Sequence, residues 1–261
     1  MLIVARELIH AVKILFTTTK YRLILVGIVL LAAMISVSEL AVAKLFTKII
    51  SHEKTLSHTK MIILVIVFFI FFGITKAGHF LQRIYKVKFF DDSFKASNSK
   101  VNGAKENWRW SLAFELTNLL STCTQLGVIL LFFAYLSLHF ALLNLLVVMA
   151  IFQFYGNLFS KQLDAQRGFV RARKNKENVT NAVRIGTRIR SGEIGILISG
   201  IALMVLLGAL IYLSYIGGIS KSNTIVLFFG LKMQNSNFSN ISTALMRFAR
   251  ARTNSEEDDE D

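Results

Sequence analysis

Six long apolar runs constrain this chain more than any other feature. They are Leu23–Ala43, Met61–Phe80, Leu112–Leu136, Phe140–Phe159, Ile194–Ile216 and Thr224–Phe238, the last fading into polar residues. About 20 mostly apolar residues cross the ~30 Å hydrocarbon layer as a helix. Only helices and closed barrels satisfy the backbone at that depth, and runs this long are not barrel strands. The expected fold class is therefore an all-α membrane protein with six transmembrane helices. The mean hydropathy of +0.54 agrees.

The charges between the runs predict an orientation. Of the 30 Lys and Arg, 23 fall in the N-terminal segment and in the segments after runs two, four and six, and 4 fall in the remaining connections. Cations are retained on the cytoplasmic side, so an N-in/C-in topology is expected, in an integral membrane protein of the bacterial inner membrane. The same bias accounts for the net charge of +14. Cytoplasmic cations set topology and meet anionic lipid headgroups, so membrane lipids and not nucleic acid are the expected partners.

Three segments follow. Residues 1–22 predict an amphipathic interfacial helix, with Val4, Leu8, Ala11, Val12 and Leu15 on one face and Arg6, His10, Lys13 and Thr17 on the other. Residues 23–253 hold the spans, and 254–261 form an acidic tail expected to be solvated and disordered. No cleavable signal peptide is expected, because the first run is long and follows a charged segment. The lone Cys123 excludes an intrachain disulfide.

The two inner connections, 81–111 and 161–193, are long, basic and free of proline, and they read as helical extensions of the flanking spans. Phe89, Phe90 and Phe94 in the first, and Val179 and Val183 in the second, put apolar groups into water-facing segments. Such groups need a partner, either another protein or the loops' own packing. They are the candidate partner-docking residues.

The sixth run carries a polar middle that includes Gln234, Asn235, Asn237 and Asn240. A helix this polar at membrane depth faces other helices or a wet cavity, unless it has already left the bilayer by Gln234. Glu39 and Lys232 are charges within spans, where ionisable groups pair or line a pathway. These six residues are the candidate pathway or interface residues. No catalytic residue is expected. The nearest approach to a phosphate loop is Gly217-Gly218-Ile219-Ser220-Lys221-Ser222, which has Ser220 where the pattern needs Gly before Lys. His52, Glu53, His58 and His139 match no metal-ligand spacing, so no metal site is expected.

Several segments resemble the transmembrane domain of type-1 ABC exporters. Phe89-Phe90-Asp91 is similar to a motif of that family's first cytoplasmic loop, and Phe133–Leu142 to its third-to-fourth span hairpin. Asn157–Leu163 continues as the fourth span does, and Ala244–Arg252 is similar to the end of the sixth. The resemblance runs in pieces over most of the chain. It implies a homodimer, or a dimer with a homologous chain, around a central pathway. It also implies a separate nucleotide-binding subunit that supplies ATP, no cofactor being expected on this chain. The chain departs from the family in lacking a nucleotide-binding domain and in having shorter inner connections, which carry the coupling helices.

The function expected is the permease subunit of an ABC-type exporter. The alternative is a non-transporting membrane scaffold or accessory subunit derived from such an exporter that has lost ATP coupling.

Overall fold

The computed structural model describes residues 2–50, 57–96, 103–177 and 179–260, with the side chains of 104, 105 and 256–260 left aside. The described residues form helices and no strand: α1 (Leu2–Leu15), α2 (Thr19–Ile50), α3 (His58–Ala96), α4 (Gly103–Leu136), α5 (Leu138–Lys174), α6 (Asn181–Tyr215) and α7 (Lys221–Glu260). The chain has no proline, so no ring interrupts a helical hydrogen-bond ladder. At about 1.5 Å per residue the longer helices reach roughly 60 Å, twice the hydrocarbon thickness.

Five helices, α2 to α6, are long and apolar enough to cross a membrane. The sixth expected span lies in α7, which has the length at 40 residues but not the composition. α7 also carries the backbone helix through most of the acidic tail, whose last residues lie outside the described side chains.

Local chemistry explains the turns. Ser137 alone separates α4 from α5; its extended backbone and its hydroxyl, which accepts from the Phe140 amide, cap α5. Lys176 takes a left-handed conformation (φ 58°) in the turn after α5. Gly217 does the same (φ 77°) after α6, and there the Gly218 amide donates to the Leu213 carbonyl.

Neighbouring helices run up and down. α3 packs antiparallel on α2, with the Thr75 hydroxyl on Ser38 Oγ at 2.8 Å and the Tyr21 hydroxyl on the Asp92 carbonyl at 3.2 Å. α7 packs against α2, α4, α5 and α6 and is the central helix. Its partners hold apolar residues outward: Leu23, Leu30 and Met34 on α2, Leu142, Leu146 and Met149 on α5, and Leu197, Met204 and Ile211 on α6 are all exposed. Exposed apolar surface of this extent suits a lipid environment.

Two cores fill the bundle. One lies at the basic end, where α1, the ends of α3 and α7 and the start of α4 meet. The other, built on Leu40, Phe133, Phe140, Leu206 and Leu227, lies at the opposite end. α1 buries Ala11 and Leu15 in the first core. It is tied to α7 through Arg252, which donates to Glu7 at 3.3 Å and meets His10 Nδ1 at 2.6 Å.

The exposure expected of the aromatic docking residues is not found. Phe89 and Phe90 are buried, and Phe94 is half-buried. Phe16 stacks on Phe89 with centroids 5.1 Å apart, Phe90 meets Phe114 edge-on at 4.9 Å, and Phe94 meets Trp110 at 5.3 Å. Of the two sources of partners for these rings, the chain's own packing is the one present.

Candidate functional site

α3 touches the rest of the bundle mainly through α2. Two cavities lie along its length, together a groove in two parts: one between α3, α4 and α7 and one between α2, α3 and α7.

The part toward the basic end has a volume of about 530 Å³ and a polar lining: His79, Gln82, Arg83 and Lys86 from α3, Asn118 and Gln125 from α4, Asn240 and Arg247 from α7. Lys86 Nζ donates to Asn118 Oδ1 at 3.1 Å across the groove. Lys86 stands beyond the apolar run of α3. Its pKa is lowered to about 8, first by burial and then by the neighbouring Arg83. Arg247 pairs with Glu115 at 3.0 Å. Among the described residues neither Arg83 nor Lys86 has a carboxylate within ion-pair distance. This half of the groove therefore carries uncompensated positive charge. Phe114 lines it as well, and packs edge-on against Phe90 at 4.9 Å.

The other part has a volume of about 510 Å³ and an apolar lining from three helices: Phe46 on α2, Phe68 and Phe72 on α3, Phe229 and Met233 on α7, with Glu39 and Lys232 at its edge. Each volume lies within the usual range of about 300–1,000 Å³ for ligand cavities. Glu39 and His79, 3.0 Å apart, stand where the two parts meet. Ser236 in one lining and Asn240 in the other are a single turn apart on α7.

The polar residues expected to act together on α7 separate into two sets. Lys232 and Asn240 are exposed along the groove face. Gln234 is fully enclosed and exchanges two hydrogen bonds with Asn144 of α5, at 2.7 and 2.8 Å. Asn235 lines a narrow cleft toward α6, and its Oδ1 is buried without a partner. Asn237 is half-buried between these two directions. Gln234 is thus a helix-to-helix tie, both ends of its amide being taken by Asn144. Val179 is half-buried in the turn between α5 and α6, and Val183 is exposed at the start of α6.

A second polar seam ties α5, α6 and α7. The Tyr155 hydroxyl, one O–H shared between two acceptors, reaches the carbonyls of Gly195 at 3.2 Å and Phe238 at 3.1 Å. Ser242 donates to the Gly192 carbonyl at 2.8 Å. Gly195 has no room for a side chain: an added Cβ would collide with Ser242 and Tyr155. Small residues at such crossings let helix backbones approach closely. His79, Asn118, Asn144 and Tyr155 were not among the residues read as functional from sequence. A lone polar side chain inside an apolar run was the available signal for Asn144 and Tyr155.

Among the described residues no group of three potential metal ligands occurs, and His52 and Glu53 lie outside those residues. No protein-family model matches the chain, and no curated protein matches it significantly.

Proposed function

We propose that the chain is the permease subunit of an ABC-type exporter, with α7 as its sixth span and both termini cytoplasmic. The groove between α3, α4 and α7 is half of the transport path, completed by a second copy or a homologous chain. A separate nucleotide-binding subunit supplies the energy, and the bacterial inner membrane is its site. The observation that supports this reading best is the groove face of α7. Lys232, Ser236, Asn240 and Arg247 line the two cavities along about 22 Å of α7, in a bundle whose α2, α5 and α6 expose large apolar residues. Polar residues at membrane depth belong on such a surface.

One observation favours the scaffold reading. Phe89 and Phe90 of the expected coupling segment are enclosed in the chain's own core and are not available to an ATPase. Purification from native membranes, followed by an ATPase assay with and without the copurified chains, separates the two. ATP hydrolysis that requires this chain and is stimulated by transported solute supports the permease. Purification without any nucleotide-binding chain, under conditions that keep the dimer intact, supports the scaffold.

A further inference from the structure

The two halves of the groove differ in chemistry along one axis. On α3, Phe68 and Phe72 lie within the apolar run, whereas Arg83 and Lys86 lie just past its end at Phe80. Phe72 and Arg83 are separated by about 16 Å of helix, about half of the ~30 Å hydrocarbon thickness. The cations therefore sit at headgroup level and the aromatic rings at the depth of acyl chains. Charge complementarity narrows the occupant further. Arg247 is matched by Glu115 and His79 faces Glu39, but Arg83 and Lys86 have no matching carboxylate among the described residues. Lys86 is partly enclosed, and among the described residues its ammonium donates to a neutral amide, that of Asn118. Enclosed positive charge without a counter-ion is unfavourable, and an anion of one or two charges would relieve it. Asn118 and Gln125 add polar side chains to the same wall.

We propose that this groove binds one molecule of an anionic phospholipid. Its headgroup phosphate lies at Arg83 and Lys86, and an acyl chain runs from there toward Phe72. The lipid comes from the leaflet at the basic end of the bundle. The assignment concerns binding, and it stands apart from the permease reading, whose test uses ATP hydrolysis.

Native mass spectrometry of the full chain in detergent tests it, with dioleoyl phosphatidylglycerol and dioleoyl phosphatidylcholine titrated in parallel. The phosphatidylglycerol adduct should be favoured by about tenfold. The Arg83→Gln/Lys86→Gln variant should lose that preference. The Lys88→Gln/Lys161→Gln variant, which removes equal charge from exposed positions outside the groove, should keep it. The Arg83→Lys/Lys86→Arg exchange should also keep it, which separates loss of charge from loss of fold. Millimolar inorganic phosphate should fail to displace the lipid. Three results would overturn the proposal: equal binding of the two lipids, equal loss in both charge-removing variants, or displacement by phosphate alone. The last would make the basic half a site for a free anion. A lipid preference that survives removal of Arg83 and Lys86 would also overturn it, by showing that these cations do not hold the headgroup.

Discussion

Asn144 and Gln234 present two carboxamides to each other in a fully enclosed site and join them by two reciprocal hydrogen bonds. Removing one partner leaves the other with a desolvated amide, whereas removing both restores an apolar contact. Asn144→Leu should therefore lower the unfolding free energy in detergent by about 1–2 kcal/mol, the upper part of the range for interhelical bonds in membranes. Asn144→Leu/Gln234→Leu should recover most of it. A double-mutant cycle by denaturant titration checks this, and additive losses would show that the pair is not coupled. Gly230 carries a steric version of the same dependence: a Cβ there would run into the Phe133 ring, with Leu40 alongside. Gly230→Val should lower the thermal midpoint of the purified protein more than Gly208→Val, where no atom lies within 4 Å of the added Cβ.

At the scale of elements, α7 is where sequence and structure part company most instructively. Its apolar stripe of Leu231, Phe238, Leu245 and Phe248 was legible, because apolar periodicity survives among polar residues and all four are buried. The destinations of the polar residues were not. Which of Gln234, Asn235, Asn237 and Asn240 faces a cavity depends on which neighbours α7 packs against, and that is a long-range property with no local signature. The same limit explains the aromatic segment at the end of α3. The spacing of Phe89, Phe90 and Phe94 marked an apolar face, but the rings that cover it come from other segments, Phe16 from the connection between α1 and α2 and Trp110 and Phe114 from α4. Phe90→Ala should accordingly cost about 3–5 kcal/mol, the range for emptying an aromatic core site, and lower the yield of folded protein. Val183→Asp, at an exposed position, should leave the unfolding midpoint unchanged and still release any partner bound at the start of α6. Thermal unfolding and pull-down on the same preparations distinguish the two outcomes.

For the whole molecule, the alternation of helix direction puts the C-terminal ends of α3 and α5 at one end and those of α2, α4 and α6 at the other. The distribution of Lys and Arg predicts which end is cytoplasmic. In a Cys123→Ala background, Ser57→Cys should react with an impermeant maleimide added to intact cells, and Lys176→Cys should react only after permeabilisation. The reverse pattern would invert the topology. The way α3 is held has a mechanical consequence. It is fastened to α2 on one flank and clamped at its foot by the ring cluster of Phe90, Phe94, Trp110 and Phe114, while its other flank borders the groove. A stiff rod clamped at one end is a cantilever. Its softest motion is a sideways swing, and the displacement grows with distance from the clamp. A small adjustment among the rings at the basic end would thus be magnified at Phe68 and Phe72, widening the slot most where it is greasiest.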